Sequence, residues 1–239
     1  MTTTTPHRAA ATDFDAVAGI YDEVFAGHIR EHYLGRRTAY ILRHAAAGAG
    51  ATALDVGAGT GLLAERLHDR GLAVTALDPF AQMLDQLGRR RPEIATVVAS
   101  GDALPFAENS FDLTYSVAVM HHIADPELVR RTLAEMVRVT RPGGRILVWD
   151  HNPLNPYWPL LMRRVPQDSG AERLVSMAEL TGGLTGAGAK IVRAERLGLM
   201  PEFIPRRWLG TAARIERGVE MMPGLRRVCA HNVVLAGKR

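Results

Sequence analysis

A chain of 239 residues that is 47% hydrophobic and 23% charged has the make-up of an ordinary globular protein, which excludes a disordered, collagen-like or disulfide-stapled one. A single core at this length buries roughly 70% of the surface its unfolded chain exposes, and the lone Cys229 excludes an internal disulfide and a cysteine-built zinc site while fitting a reducing cytoplasm. The formal charge of +4 is spread over short pairs such as Arg36-Arg37 and Arg226-Arg227, without the run or stripe that nucleic acid selects.

Residues 1–11 read as a flexible tail with no basic-then-apolar leader, and no run of 18 apolar residues follows, so a cytoplasmic protein without integral membrane association is expected. From Phe14, apolar residues at Val17, Ile20, Tyr21, Val24 and Phe25 recur at steps of three and four, loosely continued by Ile29, Tyr33, Tyr40 and Ile41. That spacing predicts two helices over 12–47, placed as a lid ahead of the main fold.

The main fold begins with an apolar run, Thr52 to Val56, a glycine-rich turn, Gly57-Ala-Gly-Thr-Gly61, and a helix starting at Leu62. Strands follow at 72–77, 94–99, 111–119 and 145–149, with helices through Met83, Leu84 and Leu87 and, after the Asp125-Pro126-Glu127 start signal, through Val129, Leu133, Met136 and Val137. Strands alternating with helices at this pitch imply right-handed crossovers and a parallel sheet covered on both faces. After Asp150 the rhythm breaks, because Pro153, Pro156, Pro159 and Pro166 exclude a central strand or a straight helix. The predicted plan is one α/β domain: a cofactor-binding core at 48–150, a substrate cap inserted at 151–190, and a closing unit at 191–239 with a helix at 208–221 and a last strand at 230–236.

Gly57, Gly59 and Gly61 stand where the first strand turns into a helix, the position at which open α/β sheets bind ligands. A dinucleotide fingerprint needs G-x-G-x-x-G; here the third glycine falls one residue early and Leu62 occupies its place. Asp78 lies 23 residues beyond Asp55 and Asp102 a further 24, so one βαβ period separates each acid from the next and all three face one crevice. A carboxylate at the second strand's end can accept two hydrogen bonds from a ribose diol, and one at the third can accept from an exocyclic amine.

With these residues in place, the sequence resembles the class I S-adenosylmethionine-dependent methyltransferases over about residues 50–150. Leu54-Asp-Val-Gly-Ala-Gly-Thr-Gly61 is similar to their first motif, Leu77-Asp78-Pro79 to the second, Gly101-Asp102-Ala103-Leu-Pro-Phe106 to the third, and Phe111 to Ser116 with Met120-His-His-Ile123 to the fourth-strand motif. The resemblance implies a Rossmann-like, doubly wound, mostly parallel seven-stranded sheet whose last strand is antiparallel. It implies S-adenosyl-L-methionine as cofactor, with Asp55, Gly57, Ala58 and Gly59 flanking its methionine part and Asp78 holding the ribose. Asp102 and the Ala103 backbone would read adenine, Pro79, Met83 and Gly101 belong to the same site, and Ser116 and Val117 would line the sulfonium side. Tyr21-Asp22 resembles the Tyr-Asp that closes the pocket in small-molecule members.

Where the acceptor must lose a proton, a histidine is the expected base. His121 and His122 follow strand four and His151 follows strand five, each readable as a base or as a structural polar residue. His28 and His32 share one helix face at i, i+4, a spacing that can bind a metal but that a surface pair explains better, and Glu31 beside them does not make an H-E-x-x-H site; they are assigned to the substrate pocket with Tyr157 and Trp158, whose apolar neighbours Leu160, Leu161 and Met162 extend the wall. That apolar stretch beside Arg163-Arg164 could instead rest on a membrane surface.

The expected activity is methyl transfer to a small-molecule acceptor at oxygen, nitrogen or carbon, within small-molecule biosynthesis. Three other readings stand beside it: a tRNA or rRNA methyltransferase, disfavoured because Ser116 is followed by Val-Ala-Val instead of a Pro-Pro-aromatic run; a cofactor-binding protein with non-methylating activity; and a nicotinamide oxidoreductase. A homodimer is one option for the assembly.

Overall fold

The structure is a computed structural model and describes residues 14–23, 26–45, 48–158 and 173–239. The sequence readings of the tail, of Val24 and Phe25, and of Leu160 to Arg164 lie outside the described residues.

Seven strands form one sheet: β1 (Thr52–Val56), β2 (Ala73–Asp78), β3 (Ala95–Val98), β4 (Phe111–Val117), β5 (Thr140–His151), β6 (Ala189–Leu197) and β7 (His231–Lys238). Their order is β3-β2-β1-β4-β5-β7-β6. β7 runs antiparallel to both β5 and β6, and the other pairings are parallel, which is the mostly parallel sheet with an antiparallel last strand that the resemblance implies. Strand order reverses between β1 and β4, so the crevice for a ligand opens at the carboxyl ends of those two strands.

Period-2 side-chain alternation sorts the core into two layers. Ala53, Leu113, Tyr115, Leu147, Trp149, Val233 and Leu235 pack on one face with Leu34, Ile41, Leu63, Leu67, Leu84 and Leu87. These last six belong to α2 (Gly27–His44), α3 (Leu62–His68) and α4 (Ala81–Arg90). Leu54, Val56, Ile146, Val148, Val234 and Ala236 pack on the other with Val129, Leu133, Met136, Leu180 and Leu184, from α5 (Pro126–Val139) and α6 (Met177–Gly186). Each such buried side chain contributes about 1.5–3 kcal/mol relative to exposure. α5 starts as its sequence signal predicts: Asp125 accepts from the Glu127 amide and Pro126 follows at the first helical position. No helix among the described residues is long and apolar enough to cross a membrane.

Two sequence expectations need correction. The first predicted helix is instead a single turn, α1 (Phe14–Val17), followed by a 3-10 turn at Tyr21–Glu23, and Ile20 of its apolar pattern is exposed. Phe14, Ala18 and Met83 are buried together, with Tyr21 and Phe80 against them, so this segment packs as a strap over α4. The second correction concerns the cap at 151–190. Its last part is the β5-to-β6 crossover, where Ser176 caps α6 by accepting from the Glu179 amide and Leu180 and Leu184 enter the core. The sequence hid this helix because Gly182, Gly183 and Gly186 lower its intrinsic propensity. Gly183 has a packing role, since a Cβ there would run into Leu133 of α5.

Candidate functional site

Two adjoining hollows of about 240 Å³ each lie along the carboxyl ends of the strands. Tyr21, Gly57, Gly59, Ala118 and His122 line both, so together they form one trough. Its outer half adds Asp78, Pro79, Phe80, Met83, Gly101 and Asp102. Its inner half adds Asp55, Ala58, Val117, His121, His151 and Trp158.

The glycine loop shapes the floor. Gly57, Gly59 and Gly61 all have positive φ (79°, 55° and 80°), and a Cβ on Gly57 would be driven into the Val119 side chain. We expect Gly57→Ala to cost about 1–3 kcal/mol of stability through backbone strain and forced repacking, measured by urea unfolding, and to weaken donor binding in calorimetry. Ala118 also has positive φ, 59°, although it carries a Cβ. Its amide donates to the Trp149 carbonyl (2.8 Å), which holds it at the middle of the trough. Nothing in the sequence marks such a residue.

Asp78 is buried at the end of β2. Its Oδ2 accepts from the Gly59 amide (2.8 Å) and its Oδ1 from the Phe80 amide (3.0 Å). Burial pushes its carboxyl above the usual carboxylate range, although the two amide bonds oppose the rise. A carboxylate offers about four lone-pair positions, so one on each oxygen remains for a vicinal diol. The floor at Gly57 admits close backbone approach, and Asp78 faces the outer hollow with acceptor capacity to spare, so these residues fit an adenosyl group. Asp55 is buried beside the glycine loop; desolvation pushes its carboxyl up to about 8, with the Asp78 charge adding to the rise. A cationic ligand part in the inner hollow would favour its ionised form.

The strap roofs the trough. Phe14 packs against Tyr21, Phe80 and His122 with ring centroids 6.1, 5.3 and 4.9 Å apart. The Thr60 hydroxyl donates to Asp22 Oδ1 (2.7 Å) and the Gln82 amide to Asp15 Oδ1 (2.8 Å), tying the strap to the glycine loop and to α4.

At the inner end stand four histidines. Asp150 is buried on β5, where its Oδ2 accepts from the Val119 and Met120 amides (3.0 and 2.7 Å) and its Oδ1 from His121 Nδ1 (2.9 Å) and the His151 amide (2.7 Å). Burial alone would raise its carboxyl, but His121 and these amides outweigh that and hold it below the usual range. His121, Asp150 and His151 lie close enough to face one cation, yet all four acceptor positions of Asp150 are taken, so the carboxylate serves as an anchor for His121. The His151 ring stacks on Trp158 (3.7 Å, 25°); burial first, and the neighbouring histidines next, drive its pKa well below the usual value. His231 of β7 is likewise driven down to about 3, by burial first and then by Arg37.

Several predicted residues stand elsewhere. Ser116 is buried within β4 and does not line the trough, because the period-2 alternation points it into the α5 layer. The Ala103 amide donates to the Ser100 carbonyl (3.3 Å), so that N–H is already used within the turn. On α2, the His28 ring is 2.7 Å from the Ile204 carbonyl and His32 Nε2 is 2.7 Å from Glu216 Oε2, which places both in the packing of α2 against the 198–221 segment, outside the trough. Tyr157 donates to Glu202 Oε2 (2.7 Å), and it is Glu202 that lines the inner hollow. Tyr33, Arg37 and His231 also line it, and sequence reasoning did not select them for the site. They sit on α2 and β7, which only tertiary folding brings to the strand ends.

The family described as "Methyltransferase domain" matches residues 54–148, the span that carries the glycine loop, Asp78, Asp102 and the His121–Asp150 side of the trough apart from Asp150 itself. Over that span the chain is similar to a methyltransferase domain. It is similar to a demethylmenaquinone methyltransferase of Renibacterium salmoninarum, 42% identical over 123 residues that make up 49% of this chain and 51% of the relative. A protein of the same description from Paenarthrobacter aurescens is 37% identical over 163 residues, 65% of this chain and 62% of the relative. The chain thus aligns with about half to three-fifths of these relatives' lengths. Among solved structures, the [4+2]-cyclase SpnF shares the fold with a TM-score of 0.66 at 19% identity, over 94% of this chain and 93% of that one.

Proposed function

We propose that the protein transfers a methyl group from S-adenosylmethionine to an oxygen, nitrogen or carbon of a small molecule seated in the inner hollow. The observation that carries this reading is the His121–Asp150 pair at the end of that hollow: a protein that only stored the cofactor would have no use for an oriented base there. When bound, the cofactor supplies a methyl group on a sulfonium, whose departure leaves a neutral thioether.

The chain's own work is positioning, exclusion of water and removal of a proton. The glycine loop, Asp78 and Asp102 would hold the donor, and the Phe14–Tyr21–Phe80 roof would shut out solvent. Alignment of this kind contributes up to about 7–11 kcal/mol in favourable systems. Asp150, accepting from Nδ1–H, fixes the His121 tautomer in which Nε2 carries the lone pair. That lone pair takes the acceptor's proton while the acceptor atom forms its bond to the methyl carbon. The trough is built mainly of apolar and neutral groups on the acceptor side, which suits a small organic molecule better than an extended polyanion.

Asp78→Ala is expected to weaken S-adenosylhomocysteine binding by about 1–3 kcal/mol, the penalty for ribose hydroxyls left unpaired, in a calorimetric titration. Asp78→Asn, which keeps one acceptor oxygen and so can still partner one of the two loop amides, should lose less. The function itself is tested by following S-adenosylhomocysteine formation with an acceptor panel. Reduced naphthoquinones with an open ring position come first, since the two relatives are described as demethylmenaquinone methyltransferases, followed by phenols and amines. Stoichiometric methylated product supports the proposal. Tight donor binding without turnover across the panel favours the second reading, a non-methylating protein on this fold, for which SpnF, described as a [4+2]-cyclase, is the precedent.

A further inference from the structure

Among the described residues, one cation of the inner hollow has no hydrogen-bond or ion-pair partner. Arg37 lies on α2 and lines the hollow together with His151 and His231. Its Nε is shielded from solvent without a hydrogen bond, and among the described residues its guanidinium makes no ion pair. The surrounding arginines differ: on the same helix Arg36 donates to Glu220 at 2.7 and 2.8 Å and also pairs with Glu216. The Arg37 guanidinium carbon sits 5.5 Å from the centroid of the Tyr33 ring, which covers one face of the cation and leaves its donor edge to be satisfied from elsewhere.

The groups around it cannot satisfy it. Tyr33, Tyr21 and Asp150 are the residues whose negative charge would favour the Arg37 cation. The Tyr33 phenol is raised by burial and the Glu216 charge and stays neutral. Asp150 has its acceptor positions filled by His121 and three amides. His151 and His231 are both held neutral by burial. Glu202 lines the same hollow, but its Oε2 is engaged by Tyr157. A half-buried guanidinium whose shielded Nε has no hydrogen bond is under-satisfied, and a planar fork of N–H donors matches the geometry of an oxyanion.

We propose that Arg37 receives an oxyanion of the acceptor, so that this site selects small molecules bearing a carboxylate or an ionised acidic hydroxyl near the atom that is methylated. The assignment rests on the methyltransferase reading for the word acceptor, but not for the anion site itself. The amino-acid carboxylate of the donor is the competing occupant. Arg37 feels the charges of His151, His231 and Asp150 at the ends of β5 and β7, which favours the acceptor, but it shares the hollow with Asp55 and the glycine loop, so the S-adenosylhomocysteine arm of the test is what separates the two occupants.

The test uses matched probes on the full chain, by calorimetry or ligand-observed NMR, with and without saturating S-adenosylhomocysteine. For a carboxylate the pair is 2-hydroxybenzoate and 2-hydroxybenzamide; for an ionised hydroxyl it is 4-nitrophenolate and 4-nitroanisole at a pH above the phenol's ionisation. At least one anion should bind about tenfold or more tightly than its neutral partner, and which pair shows the preference identifies the oxyanion. Arg37→Met should abolish that preference while leaving S-adenosylhomocysteine affinity within about twofold, with a melting temperature no lower than that of the wild type because a half-buried cation with no ion pair among the described residues has been removed. Absence of anion preference in both pairs, persistence of the preference in Arg37→Met, or a tenfold loss of S-adenosylhomocysteine affinity in that variant would each overturn the proposal. Failure of S-adenosylhomocysteine to bind the wild type would instead sink the methyltransferase reading, and an anion preference retained by the free protein would still support the Arg37 site.

Discussion

His121→Ala is expected to lower turnover by roughly 100- to 10,000-fold, the range for loss of a positioned base, while S-adenosylhomocysteine affinity stays within about twofold. The argument is geometric. Asp150 accepts from His121 Nδ1 at 2.9 Å and is itself locked by the Val119, Met120 and His151 amides, so the imidazole is held in one orientation with Nε2 available. Asp150→Asn should reproduce most of the loss, because an amide in that place can donate as well as accept and no longer enforces the tautomer. His151→Ala should cost less, acting through the lost stacking on Trp158 and not through proton transfer. Steady-state kinetics with a methylated acceptor, paired with calorimetry for the donor, checks all three. If His121→Ala retained full turnover, the base would have to be sought at His151 or His122, or the acceptor would need none.

Glu216→Ala is expected to destabilise the fold by about 3–5 kcal/mol, the cost of removing one member of a buried ion cluster, measured by urea unfolding at neutral pH. Glu216 lies on α7 (Leu209–Met221) with its side chain 2% exposed. Its Oε2 faces His32 Nε2 at 2.7 Å and pairs with Arg36, and its Oε1 accepts from the Leu199 amide at 2.7 Å. Burial alone would raise this carboxyl; His32, Arg36 and the amide more than reverse that and hold it at about 2, against 4.5 in the unfolded chain. A folded-state pKa below the unfolded one adds stability above the unfolded value, and that contribution is lost as pH falls through the folded one. The shift is worth about 3 kcal/mol, so wild-type stability should decline between about pH 5 and pH 2, and Glu216→Gln should flatten that decline. The functional consequence follows from position: α2, which this cluster clamps, carries Tyr33 and Arg37 into the inner hollow, so acceptor binding should suffer before donor binding does.

The outer half of the trough was readable from the chain because its residues are local. Gly57 and Gly59 need positive φ where a strand turns into a helix, and Asp78 falls one crossover later at a strand end, so spacing along the chain translates directly into position in the crevice. The helix at Met177–Gly186 was not readable, since three glycines mask it and its evidence is the close approach to Leu133. Ser116 was misplaced for a related reason: a motif names a strand, but which face a residue takes depends on the register of that strand in the sheet.

The inner half of the trough is a tertiary product. His28 and His32 look like a pocket pair on the helix, yet their partners at Ile204 and Glu216 are more than 170 residues away and draw them into packing. Arg37 and His231 reach the hollow because α2 lies across the sheet's carboxyl edge and β7 inserts between β5 and β6. By itself the sequence determined the fold class, the crevice and the placing of Asp55, Asp78 and Asp102 along it, all of which follow from short-range periodicity and backbone constraint. Only the tertiary structure decided which histidine is braced by Asp150 and which cation lacks a partner, because burial and pairing are set by segments that meet across the whole length of the chain.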